Sequence, residues 1–91
     1  MNKKRDRLEI ILDILDAIQK KGGKIKPTHL LYSSNLAHNR MQALLHELEE
    51  KGLIVYETDK HDHKMVVLTQ KGHQSIFEIR RIKDVSDAFG I

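Results

Sequence analysis

A chain of 91 residues has room for one small domain with a modest core, and none for a second independent one. Its formal charge of +3 favours polyanionic partners, and the lack of cysteine excludes disulfides, thiolate metal sites and cysteine nucleophiles. No run approaches the roughly 18 apolar residues of a membrane span. The basic start Met1-Asn2-Lys3-Lys4-Arg5 leads into an apolar stretch broken by Asp13 and Asp16 without a cleavage pattern, so it reads as a helix start and the protein is expected to be soluble and cytoplasmic.

A first helix is expected from about Arg5 to Lys21, where Gly22-Gly23 stops it. Leu8, Ile11, Leu12, Leu15 and Ile18 form its main apolar stripe, with Ile10, Ile14 and Ala17 on nearly the opposite side. That is more apolar surface than one partner covers, so either the last helix of the chain or a second subunit should meet it. Lys24-Ile25-Lys26 is short and extended. Pro27 then suits the first turn of a brief second helix, where its missing N–H costs nothing. Leu30 and Leu31 point inward, Ser33-Ser34-Asn35 closes the helix with Asn35 able to turn left-handed, and Leu36 re-enters the core.

The run from 37 to 51 is a longer amphipathic helix. Met41, Leu44, Leu45 and Leu48 share the core stripe, while Asn39, Gln42, Ala43 and His46 face outward with Arg40 at the shoulder. No acid lies between Ala17 and His46, and Lys20, Lys21, Lys24, Lys26 and Arg40 give this region a positive bias. Gly52 follows Lys51 where a left-handed terminating residue is expected. Short helix, tight turn and longer helix with an exposed polar leading edge make a helix-turn-helix. Such an edge suits the major groove, where Asn and Gln pair with adenine, Arg with guanine, and Ala meets a thymine methyl. A solvated surface helix is the plain alternative.

Beyond it, Leu53–Thr58 and Met65–Thr69 are β-branched and aromatic, and the polar run Asp59-Lys60-His61-Asp62-His63-Lys64 joins them as a hairpin. Thr69 is placed to cap a last helix from about Gln70 to Ala88. Arg80, Lys83, Asp84 and Asp87 cluster on one side of it, and Ile76, Phe77, Ile79, Ile82, Val85 and Phe89 spread around the rest. The expected class is α+β, mostly α: a winged helix-turn-helix of three core helices and a two-stranded wing, with an extended C-terminal helix.

Three blocks resemble the small archaeal winged-helix DNA-binding proteins. They are Thr28-His29-Leu30-Leu31-Tyr32-Ser33-Ser34-Asn35-Leu36-Ala37, Leu48-Glu49-Glu50-Lys51-Gly52-Leu53-Ile54, and Leu68-Thr69-Gln70-Lys71-Gly72. The match spans nearly the whole chain, and three blocks in order are more specific than any one alone. One departure is Ala37, where that family usually places a capping Ser. Ala there costs about 1 kcal/mol relative to a good cap, so the leading turn is expected to fray when free. The resemblance implies transcription-factor or nucleoid-type DNA binding, often as a dimer through the C-terminal helix.

By this reading Asn39, Gln42, Ala43 and His46 face base edges, with His38 and Arg40 on bases or flanking phosphates. Lys26, Thr28 and His29 meet phosphate with the second helix's first amides, or simply start a solvated helix. Lys60, His61, His63 and Lys64 form a wing tip reaching an adjacent groove or phosphate strand, or a mobile loop. Two imidazoles at i, i+2 lack the further ligands of a zinc site, so no metal and no cofactor are expected, and a pH-sensitive phosphate contact is the stronger idea. Ile79, Ile82, Val85 and Phe89, with Ile10 and Ile14, are candidates for a homodimer seam, against the alternative that the last helix folds over the first.

No acid-and-nucleophile arrangement or glycine-rich phosphate loop supports catalysis, so an enzyme is not expected. The expected partner is double-stranded DNA, read by a cytoplasmic, nucleoid-associated regulator. An architectural DNA binder, or a winged helix used only for protein association, are the alternatives. Residues 1–78 are expected to form the DNA-binding domain and residues 70–91 a helix shared between core and dimer.

Overall fold

The first helix, α1 (Arg7–Lys20), is the element against which the others pack, because both of its apolar stripes are covered. In the computed structural model, which describes residues 7–90, Ile10, Ile11, Leu12, Ile14, Leu15 and Ile18 are all buried. The expected helix start at Arg5 lies outside the described residues. Leu8, assigned to the stripe by its spacing, stays exposed in the first turn. Gly22 and Gly23, with φ of 80° and 92°, reverse the chain after the helix, and an L side chain avoids that region.

The chain then forms β1 (Lys24–Ile25), α2 (Pro27–Ser34), α3 (His38–Glu50), β2 (Ile54–Thr58), β3 (Lys64–Leu68) and α4 (Gln70–Ala88). This is the expected α+β order of helices and wing. The sheet has three antiparallel strands in the order β1-β3-β2, where the sequence suggested two. Lys24 pairs with Val67 and Ile25 with Val66, but a two-residue strand is too short to show an alternating pattern. In the wing, Ile54 lies opposite Leu68 and Thr58 opposite Lys64. Ile54, Val66 and Leu68 enter the core with Tyr56 packed against it, while Val55 faces out.

The tight turn between α2 and α3 rests on Asn35 at φ 58° and ψ 35°, the left-handed conformation that Asn tolerates better than most residues. Met41, Leu44, Leu45 and Leu48 then seat α3 on the core. At the far end of α3, Gly52 turns left-handed at φ 77° and the chain enters the wing.

Helix α4 begins against that same turn. The Thr69 hydroxyl donates to the Gly52 carbonyl at 2.7 Å and accepts from the Gly72 N–H at 3.0 Å. Lys71 Nζ donates to the Lys51 carbonyl at 2.8 Å, and the Thr69 N–H to the Leu53 carbonyl at 3.1 Å. Ile76 and Ile79 bury against α1, Gln19 Nε2 donates to His73 Nδ1 at 3.2 Å, and Arg80 pairs with Asp16 at 2.5 Å. The last helix therefore folds over the first within one chain. This corrects the expected dimer seam: Ile10, Ile14 and Ile79 belong to the monomer's own core, whereas Ile82, Val85 and Phe89 remain exposed with Phe77.

A methyl group at Gly72 would stand 2.2 Å from the Leu53 carbonyl oxygen and 2.6 Å from Leu68 Cδ1. Because a backbone atom is one of the two, Gly72→Ala is expected to lower stability by about 1–3 kcal/mol. The exposed Gln70→Ala should stay within about 0.5 kcal/mol. Urea denaturation midpoints of the two variants against the parent check this.

Candidate nucleic-acid interface

Helix α3 divides cleanly into a hidden side and an open one. His38, Asn39, Arg40, Gln42, Ala43 and His46 are all exposed, while Met41, Leu44, Leu45 and Leu48 are buried behind them. The polarity of the open side follows from the order of residues along the helix. Its first two turns carry amides, imidazoles and a guanidinium, and its acids come late. Glu47 pairs with Arg7, and Glu50 Oε1 lies 3.5 Å from His46 Nε2 one turn back. His46 thus has a local partner, which the sequence reading missed although an i, i+4 spacing encodes it.

The start of α3 is held by its backbone alone. Ala37 has extended φ and ψ of −64° and 148° and makes no side-chain cap, while the Met41 N–H donates to the Ala37 carbonyl at 3.0 Å. Lys26 likewise provides no side-chain cap to α2. The first amides of both helices are therefore without the capping oxygen that Ser, Thr, Asp or Asn supplies. Thr28 joins His38 and Gln42 in a shallow groove floored by Leu31 and Met41. His29 turns the other way, into a cleft between α2 and α1. The three candidates at the α2 start therefore do not act on one surface. Tyr32, one turn after Thr28, is 83% exposed and was overlooked as a surface residue.

The wing is an organised turn. Asp59 accepts from the backbone N–H groups of His61 at 2.9 Å and His63 at 2.8 Å, and its own N–H donates to the His63 carbonyl at 2.9 Å. Asp62 supplies the left-handed residue at φ 64°. The His63 N–H, followed by that of His61 and the charge of His63, holds the Asp59 carboxyl below its usual range against a weaker opposing effect of desolvation. Lys60, His61 and His63 are exposed at the tip. Lys64 is not at the tip: it opens β3, and its ammonium lies 4.2 Å from the centre of the Tyr56 ring, close enough for a cation–π contact. Burial, and then the negative charge of Glu49, raise the Tyr56 hydroxyl above its ordinary pKa. Tyr56 thus links the flank of the wing to α3.

Among the described residues no three His, Cys, Asp or Glu side chains gather as a metal site, and no helix is long and apolar enough to cross a membrane.

The sequence matches the family profile described as winged helix-turn-helix over residues 4–87, and no curated protein matches it. Among solved structures, the fold is similar to that of Sso10a-2, a DNA-binding protein from Sulfolobus solfataricus. Their TM-score is 0.78, with 24% identity over 93% of this chain and 85% of that one. A winged-helix DNA-binding protein from STIV superposes with a TM-score of 0.72 at 19% identity, over 87% of this chain and 90% of that one. MepR, a transcription regulator of the Staphylococcus aureus multidrug efflux pump MepA, gives a TM-score of 0.71 at 20% identity, over 88% of this chain but only 60% of its own.

Because the charged carboxylate of Asp59 is the form its N–H donors favour, the turn's contribution is present above the ordinary carboxylate range. It is lost as pH falls through the lowered value of the folded state. Asp59→Ala should remove the anchor at every pH. Faster amide hydrogen exchange at His61 and His63, with the core amides unchanged, is the expected readout.

Proposed function

We propose that this chain, which belongs to the winged helix-turn-helix family, binds double-stranded DNA as a sequence-preferring transcriptional regulator, in the cytoplasm on the nucleoid. The carrying observation is the open, acid-free leading face of α3 backed by a wholly buried leucine stripe. In this reading α3 enters the major groove. Asn39, Gln42, Ala43 and His46 lie toward base edges, and His38 and Arg40 toward bases or flanking phosphate. The uncapped amides of α2 and α3, with Lys26 and Thr28, suit phosphate oxygens. The wing presents Lys60, His61 and His63 to an adjacent phosphate strand or the minor groove, with Lys64 behind them on Tyr56.

The printed descriptions of the similar structures support this reading, since Sso10a-2 and the STIV protein are described as DNA-binding and MepR as a transcription regulator. The two small proteins from Sulfolobus solfataricus and STIV also favour the archaeal kinship suggested by the three sequence blocks.

The active species in this proposal is a two-fold dimer. Helix α4 leaves Ile82, Val85 and Phe89 in water at 54%, 49% and 75% exposure, on the part of the helix beyond its core contacts at Ile76 and Ile79. A row of this kind is costly to leave open, and a partner's α4 is its natural cover. Such a dimer places two recognition helices about 34 Å apart on one side of the duplex. Residues 1–78 are then the DNA-binding unit, and residues 70–91 serve both core and seam.

Three measurements decide among these points. Arg40→Ala or Gln42→Ala should lose about 1–3 kcal/mol of discrimination at a single base position, scored by binding to a panel of single-substitution duplexes at fixed salt. An architectural binder would show a uniform footprint and no such position. Lys60→Ala should weaken all duplexes alike and reduce the slope of log K against log salt by about one unit. Ile82→Asp combined with Val85→Asp should give a monomer by sedimentation; a parent protein that is already monomeric would end the seam proposal.

A further inference from the structure

Where the start of α2 meets the start of α3, the surface dips into a groove of about 50 Å³. Leu31 and the buried Met41 form its floor, and Thr28, His38 and Gln42, all exposed, stand around it with Pro27. The groove opens beside the face proposed to read bases. His38 and Gln42 are one turn apart on α3, and Gln42 also neighbours Asn39 and His46 at three- and four-residue spacings.

Its size and lining exclude most occupants. Small-molecule sites begin at about 300 Å³, and one water takes about 30 Å³ of the liquid, so this groove holds a group of one or two heavy atoms. A water there would face an aliphatic and a thioether side chain, where it needs two or more polar partners. A phosphate oxygen would lose hydration over the same floor. In the major groove thymine alone among the four bases presents an apolar group, its C5-methyl, and it carries the O4 acceptor beside it. A methyl over Leu31 and Met41, with O4 toward the Gln42 amide, satisfies floor and rim together. No acid lines the groove, so the phosphates flanking such a base meet no opposing charge.

We propose that the α2–α3 groove takes the C5-methyl of one thymine in each bound site, with the Gln42 side-chain N–H donating to O4 of the same base. Leu31 and Met41 then determine specificity although neither offers DNA a hydrogen bond, and Gln42 reads thymine in place of the adenine that its amide also suits. This inference rests on the DNA-binding reading with α3 in the major groove, and it adds which base the α2-facing shoulder of that helix selects.

The test uses the duplex that the chain recovers most often from a random pool at fixed salt. Each thymine in its protected stretch is replaced in turn by deoxyuridine, which lacks only the methyl group. One thymine for each α3 is expected at which the replacement weakens binding about three- to fivefold, the worth of one buried methyl. Leu31→Ala, which removes part of the floor, and Thr28→Met, whose longer side chain fills the groove, should each bring that thymine-to-uracil ratio close to one. The salt dependence of both variants should stay that of the parent, since no charge is changed. Thermal melts confirm that the variants are folded. A protected stretch without thymine, equal affinity for every deoxyuridine duplex, or a ratio undiminished in both variants overturns the proposal and leaves the DNA-binding reading standing. Failure to form a complex with any duplex at low salt overturns both.

Discussion

The arrangement of the whole domain depends on how α3 ends. A helix leaves its last carbonyls without partners, and here they meet the first residues of α4. Lys71 donates to the Lys51 carbonyl and the Thr69 hydroxyl to that of Gly52, while the same hydroxyl caps α4 through the Gly72 N–H. Gly72 lets the two backbones approach where any Cβ would strike the Leu53 carbonyl. One small cluster thus terminates one helix, starts another, and holds both ends of the wing, since Ile54 and Leu68 are cross-strand partners beside it. This junction ties α3, the wing and α4 together at one end, while Ile76, Ile79 and the Arg80–Asp16 pair lay α4 along α1.

That junction makes α3 mechanically and electrically asymmetric. Its C-terminal end is locked and acidic, and its N-terminal end is acid-free and begins at Ala37 without a side-chain cap. The partial positive charge of a helix N-terminus adds to the bias of the side chains there. Two of the late acids also have nearby basic partners, Arg7 for Glu47 and His46 for Glu50. A polyanion approaching this surface meets the leading turn first. A helix fixed at one end and open at the other can present its first turns without the rest of the domain moving, which is the property the proposed reading of base edges requires.

Much of this was legible in the sequence because it is local. The 3.6-residue period located α3 and its buried face, Asn35 and Gly52 marked their turns, and Thr69 marked the start of α4. What escaped was decided between distant residues or by direction. The two-residue β1 carries no periodic signal and exists because β3 offers it a free edge. Ile10, Ile14 and Ile79 showed as apolar surface, but periodicity cannot say whether that surface is covered by the same chain or by another. Lys64 and His29 were assigned by position to surfaces that their side chains leave, one for the Tyr56 ring and the other for the cleft beside α1. The composition of the wing suggested mobility, yet the Asp59 carboxylate organises it through two backbone N–H groups.

The burial of α4 stops partway along the helix. A compact chain of this length has a radius of gyration of about 12 Å, and this one measures 13.7 Å with a longest extent of 48 Å. Nineteen residues of α4 span about 28 Å, and its core contacts end at Ile79, so the second half of the helix has little of its own domain to lie on. Arg80 and Lys83 hold that half toward α1 through Asp16 and Glu9, on one side only. The opposite side keeps Ile82, Val85 and Phe89 in water. The first half of α4 completes the monomer, and its second half is oriented but uncovered. A second α4 related by two-fold symmetry would cover the same residues on both copies at once.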